Sequence, residues 1–311
     1  MSNVLLTDSA DHTNGRLRTR QRLLRPRSAI ILLLLALVAG NMLFANLDHG
    51  QQAIAGEPGD LLYIATFDGF IDEWDLYAGQ QSAFIEEGRL RLALSSAQTA
   101  SWSVARHHFA EYDISVVASA VAGPIDNAFG IVFAMQSPSQ RACDLPAVIF
   151  CGLGNWSAWL SAALRQVLDP VEGPQYYAFL ISSDGYYALE RITDGARKVL
   201  STWIPSPSIH QDLGERNWIR VVALGSDLRF FVNGAQVMLC IPNELGASST
   251  YADGECIDGR MAAGFQAPGP LHGQVGVIAQ ATQTGGGGVA VDFDNITVFS
   301  PSFAGGEDAK L

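Results

Sequence analysis

Aromatic rings and cysteines, rather than clusters of catalytic side chains, are the chemically suggestive residues of this 311-residue chain. Trp156, Trp159, Tyr186, Tyr187 and Tyr251 have flat apolar faces on which a sugar ring can stack, and they lie on or near the loop end proposed below. Trp102, Trp203 and Trp218 are expected in the core. Cys143, Cys151, Cys240 and Cys256 form an even set with irregular spacing and no Cys-x-x-Cys, which points to two disulfides rather than a zinc site. Three pairings are possible; proximity in the chain favours Cys143 with Cys151 and Cys240 with Cys256. His107 and His108 are adjacent, so on a strand they face opposite ways and cannot chelate one ion. The sequence has no Gly-x-Ser-x-Gly elbow, phosphate loop or paired-histidine signature, and it offers no evidence for a cofactor.

The elements that must position these residues read as strands. The chain is 48% apolar and 16% charged, with 31 glycines and 13 prolines, a balance that suits many short strands joined by turns. Residues 89–94 alternate strictly, 112–120 form a second strand, and 129–135 are apolar on both faces and so central. Residues 176–181 run into Ser183-Asp184-Gly185 and 186–192 into Thr193-Asp194-Gly195, so two Asp-Gly turns join three antiparallel strands. Further strands are read at 218–224, 228–232, 235–239, 274–280 and 289–299. Roughly a dozen antiparallel strands call for an all-β fold, a two-sheet antiparallel β-sandwich of jelly-roll type over residues 61–300, because one open sheet would leave a face unburied. A closed barrel is the alternative.

Two stretches break this rhythm, and each holds one cysteine pair. Residues 137–175 include a short amphipathic helix at 155–168, with Trp156, Leu160, Leu164 and Leu168 on one face; residues 239–272 read as loop. If the strands between them simply run up and down, both insertions leave the sandwich at the same end.

The N-terminus assigns the compartment. Residues 1–28 carry six arginines against two acids, which leaves 13 basic and 29 acidic residues, a net of −16, for the rest. An apolar run follows from 29 to 47, and about 20 residues at about 1.5 Å each just cross a bilayer core. The positive-inside tendency makes 1–28 a cytoplasmic head, 29–47 a transmembrane anchor and 48–60 a linker, with the sandwich extracytoplasmic and 301–311 a tail. The competing reading is a cleaved secretory signal ending at Ala53-Ile54-Ala55. Both export the domain, in agreement with the cysteines. Its acidity excludes nucleic acid as a partner.

The runs Asn217-Trp218-Ile219-Arg220-Val221-Val222, Gly225 to Gly234, Gly273-Gln274-Val275-Gly276-Val277 and Val291-Asp292-Phe293-Asp294-Asn295-Ile296 resemble the concanavalin A-like lectin/glucanase superfamily, most of all its laminin-G-like and 3-keto-disaccharide hydrolase domains. Over about residues 65–300 the resemblance implies a sandwich that recognises carbohydrate, with calcium as a common partner; Asp126, Asn127, Asp292, Asp294 and Asn295 are the donors at hand, although turn formation explains them equally well. The glucanases of that superfamily use Glu-x-Asp with a further Glu two or three residues on. Here Glu73-Trp74-Asp75 is followed by Ala78-Gly79 and Glu111-Tyr112-Asp113 by Val116-Val117, so neither completes the set. The leading expectation is a membrane-anchored, non-catalytic domain that binds a glycan. The alternatives are an accessory subunit of a membrane protein complex and a carbohydrate-active hydrolase.

Overall fold

The computed structural model describes residues 53–69, 73–136, 173–244, 246–269, 271–282 and 288–302. The expected cytoplasmic head, transmembrane anchor and amphipathic helix, together with Cys143, Cys151, Trp156 and Trp159, lie outside these residues. Among the described residues there is no helix.

The chain forms two antiparallel sheets and passes repeatedly between them. Strands β1 (Leu61–Ala65), β2 (Gln81–Glu86) and β3 (Arg89–Leu94) belong to a nine-stranded sheet, and β4 (Ala100–Phe109) crosses to a six-stranded one. Next, β5 (Tyr112–Ala122) returns to the first sheet, and β6 (Ala128–Gln136), β7 (Gln175–Ser182), β8 (Tyr186–Thr193) and β9 (Ala196–Pro205) build the second. After β10 (Asn217–Leu224), β11 (Asp227–Val232) and β12 (Ala235–Gln236) in the nine-stranded sheet come two small pairs, β13 (Leu239–Pro242) with β16 (Gly259–Ala262) and β14 (Thr250–Ala252) with β15 (Glu255–Ile257). Finally β17 (Phe265–Gln266) joins β11, β18 (Gly273–Gln280) enters the six-stranded sheet between β4 and β6, and β19 (Val289–Phe299) lies between β5 and β3.

This is a two-sheet sandwich and not a barrel, because each sheet keeps its own edge strands: β12 and β2 in one, β4 and β9 in the other. The hairpin turns follow from their residues. Asp194 and Gly195, like Asn233 and Gly234, all have positive φ, as a two-residue turn matching the strand twist demands. Two readings from sequence need correction, and one strand went unread. Residues 235–239 are not one strand but split into β12 and β13, which pair with different partners. Residues 239–272 are not loop but contain the short strands β13 to β17. The ten-residue β4 has no legible alternation because Ser101 and Ser103 are buried, their hydroxyls bonded to Tyr77 and to the Asp75 carbonyl.

The core lies between the sheets. Phe129, Ile131 and Phe133 of β6 and Tyr177, Phe179 and Ile181 of β7 point inward onto Ile219, Val221, Phe230, Val291 and Phe293. Phe230 is the keystone, with ring centroids 4.8 Å from Phe179 and 6.2 Å from Phe133. At one end of the sandwich the Ile54 N–H donates to the His108 carbonyl (2.7 Å), Gly59 donates to Ser300 (2.9 Å) and the Ser300 hydroxyl donates to the Gly56 carbonyl (3.0 Å). The chain therefore enters and leaves the described domain at the same end. Gln136 meets His272 there too, its amide donating to the His272 carbonyl (3.3 Å), so the segment after β6 begins where 239–272 finishes. The opposite end is closed by Asn127, which accepts from the Thr282 N–H at 2.9 Å.

Truncating a ring fully enclosed by aromatic neighbours removes its transfer free energy and leaves a cavity. Phe230→Ala is expected to destabilise the domain by about 3–5 kcal/mol, read as a fall in the urea unfolding midpoint with the slope unchanged.

Candidate functional site

The six-stranded sheet is apolar on its outer face as well. Alternating with the inward residues, Ala128 and Val132 of β6, Tyr176, Ala178 and Leu180 of β7, Ile192 of β8 and Val104 and Ile278 of the neighbouring strands form a second buried cluster, against which Trp102, Trp203 and Ala100 pack. The strands approach so closely that a Cβ on Gly130 would sit 2.0 Å from the Phe179 carbonyl oxygen, which leaves only glycine at that position.

A cleft of about 740 Å³ opens on this face, within the range of small-molecule sites. Among the described residues its walls are the rings of Trp102, Tyr176 and Trp203; Trp102 and Tyr176 are tilted toward each other with centroids 6.0 Å apart. Polar groups line it from Gln98, Asp126 and Thr282 at one end to Arg197 near the other. Between them lies Glu190, whose side chain is 0% exposed. One carboxylate oxygen is bonded by Arg197 of the adjacent strand, and the other faces the Gln280 amide at 3.5 Å. A carboxylate fully withdrawn from water is costly unless a cation and donors meet it, and Arg197, half exposed at the cleft rim, supplies the cation.

Burial first, and then the Glu190 charge, push the Tyr176 phenol up to about 12, while Arg197 pulls the other way. The pair thus faces the same space as the aromatic wall. Chemically, the cleft offers flat apolar rings and a guanidinium donor held in place by a buried carboxylate. It is suited to a ligand with apolar faces and hydroxyl edges.

The other residues singled out from sequence are placed differently. Tyr187 turns inward, 3% exposed, and its hydroxyl donates to the Met238 carbonyl (2.5 Å). Tyr186 shares by alternation the outer face of β8 with Glu190 but lies outside the cleft lining, 40% exposed and opposite Pro205. Tyr251 packs half-buried against the main core, opposite Cys256. Tyr187 and Tyr251 lie near enough for their phenols to interact, whereas Tyr186 is on the opposite face of β8. Cys240 and Cys256 form a disulfide, the pairing that proximity favours.

The glucanase-like carboxylates are held elsewhere. Glu111 accepts from the Gly225 N–H (2.9 Å), Asp113 pairs with Arg220, and Glu73 lies 3.6 Å from His107. Of the possible calcium donors, Asn127 bonds Thr282 and Pro124, Asp292 is clasped by Arg89 and Arg91, and Asp294 accepts from Asn295. Among the described residues no group of three or more metal-ligating side chains comes together.

Sequence reasoning assigned Trp102 and Trp203 to the core and passed over Tyr176, Glu190 and Arg197. One signal was present: the adjacent charges Glu190 and Arg191 interrupt the apolar run of β8 and fall on opposite faces, and a charge within a strand buried on both faces needs a partner. The Tyr176 phenol, being neutral when protonated, contributes stability that is complete below pH 10 and is lost as pH rises through its folded value of about 12. Alkaline titration followed by tyrosinate absorbance should therefore show several late-ionising phenols, among which the contribution of Tyr176 disappears in Tyr176→Phe and moves higher still in Arg197→Ala.

No family model matches the chain, and no curated protein matches it in sequence. Several solved structures are similar in outline. A protein of unknown function with a galectin-like fold from Bacillus subtilis overlaps 78% of this chain and 97% of its own at 10% identity, with a TM-score of 0.48. A Bacillus licheniformis beta-glucanase overlaps 77% and 98% at 8% identity and TM-score 0.45. The carbohydrate-binding module CBM66 from Bacillus subtilis overlaps 80% and 100% at 10% identity and TM-score 0.39. At such scores the likeness transfers no residue and no role, and function rests on this chain's own cleft.

Proposed function

We propose that the domain is an extracytoplasmic glycan-recognition module, tethered by residues 29–47 and binding its ligand in the cleft on the outer face of the six-stranded sheet. A single observation carries this reading: three aromatic rings and a half-exposed guanidinium paired to a buried carboxylate share one cleft. A pyranose ring has apolar C–H faces that pack on Trp102 or Trp203, and hydroxyls that accept from the half-exposed Arg197, which Glu190 holds in place from beneath. The finer kinship with laminin-G-like or keto-disaccharide hydrolase domains is part of the same proposal and rests on the sequence resemblance alone.

Hydrolysis is the second reading, favoured by the presence of Asp126 and Glu190 in the same cleft. Two carboxylates flanking a glycosidic bond are the usual requirement. Hydrolysis of a bound oligosaccharide that is lost in both Asp126→Asn and Glu190→Gln would establish it over simple recognition.

Titration calorimetry with neutral cello-, laminari- and xylo-oligosaccharides tests recognition. Trp102→Ala and Trp203→Ala are each expected to weaken binding at least about tenfold, or about 1.4 kcal/mol, with the folded strand content retained at the temperature of the titration; unaltered affinity in both variants would sink the assignment of the cleft. The tether makes its own prediction. The full-length protein should stay with the membrane pellet at alkaline pH, whereas recovery in the supernatant, with an N-terminus at Gly56, would mean a cleaved signal.

A further inference from the structure

The cleft's outer wall stands on an edge strand. Arg197 and Trp203 belong to β9, which pairs with β8 on one side only. An edge strand with an unpaired side is the part of a sheet that frays first. What stands against β9 here is the small lobe that follows β12. Val237, Leu239 and Cys240 of this lobe join the main core and close the gap between the sheets. Two hydrogen bonds hold it to the sheet, Tyr187 Oη to the Met238 carbonyl (2.5 Å) and the Cys240 N–H to Ser201 Oγ on β9 (3.0 Å), and a third, Ser249 Oγ to the Cys240 carbonyl (2.7 Å), ties the lobe to itself. The lobe's own secondary structure is meagre. Two short strand pairs, β13 with β16 and β14 with β15, are joined by the Cys240–Cys256 disulfide.

We propose that the Cys240–Cys256 disulfide positions the ligand cleft from behind: by fixing the lobe against β9 it holds Arg197 and Trp203 in register with Glu190 and Tyr176, so the cleft is complete only in the oxidised protein. The proposal rests on reading the cleft as the binding site, but its structural half stands by itself. The chemistry is ordinary thiol–disulfide exchange. A small dithiol breaks the sulfur–sulfur bond, gives the protein two electrons and two protons as two thiols, and closes to its own disulfide. Two strand pairs of three or four residues each do not hold together unaided, so the lobe loosens and β9 is left as an unsupported edge. In an oxidising compartment the cleft is ready; in a reducing one its wall is slack.

The experiment is amide hydrogen exchange on the full-length protein and on Cys256→Ala, which removes this disulfide alone. Exchange across Ala196–Pro205 is expected to quicken about tenfold in the variant, while β5 and β19 keep their protection, and affinity for the oligosaccharide panel is expected to fall about tenfold. Unchanged exchange in β9 overturns the proposal, whatever the panel shows. If Cys256→Ala loosens β5 and β19 as well, Ser201→Ala decides with the disulfide intact: selective loosening of β9 supports the buttress and no change overturns it. Quickened exchange in β9 with no oligosaccharide bound even by the intact protein would uphold the buttress and overturn the glycan reading, so the two failures are distinguishable.

Discussion

A sheet buried on both of its faces is the constraint on which the rest of this structure depends. In the six-stranded sheet, β6, β7 and β18 have no face available to water, so their residues must be apolar whichever way they point. The inward set interdigitates with the nine-stranded sheet to make the main core, and the outward set needs cover of its own. Trp102, Tyr176 and Trp203 give part of that cover, and the cleft lies where they stand. The same constraint brings the strands together tightly enough that Gly130 tolerates no side chain. Core and candidate site are thus opposite faces of one sheet.

Against this background, charge is placed with economy. Glu190 is the charged side chain withdrawn into the outer cluster, and Arg197 and Gln280 meet its two oxygens. The nine-stranded sheet treats its outer face differently, as a surface of cross-strand ion pairs. Arg91 and Arg89 clasp Asp292, and Arg220 bonds Asp113 while lying over the Phe231 ring at 4.9 Å. Such pairs shield β-sheet backbone from water and hold strands in register, and they are spread along the sheet rather than gathered about a cavity. One face is a structural mosaic, the other a pocket.

Much of the fold was legible in the sequence, and the exceptions have physical causes. Strands 89–94 and 289–299 were read with their observed bounds, because clean alternation or a long apolar stripe with Asp-Asn punctuation leaves little choice. Both Asp-Gly turns were legible for the same reason: few residues take positive φ cheaply. By contrast β4 was hidden by buried serines, and the strands of the disulfide lobe are too short to show any period. The candidate site was the least legible part. On a strand apolar on both faces, Tyr176 looks no different from Tyr177, yet one lines a cleft and the other the core. Sequence period assigns a face; it does not say what covers that face.

The shared entry and exit of the chain has a mechanical meaning. Ser300 is bonded to Gly56, Gly59 and Asp60, and β1 then runs antiparallel to β19 from Leu61 opposite Phe299 to Ala65 opposite Ile296. A tension on the N-terminal side of the domain would load the bonds of Ile54 to His108 and Ala110 first and then reach β1 at Leu61. Its ladder with β19 would then be strained in shear, several hydrogen bonds at once, rather than peeled open one bond at a time. A pull from that side would thus meet the ladder in the direction in which a β-sheet resists best.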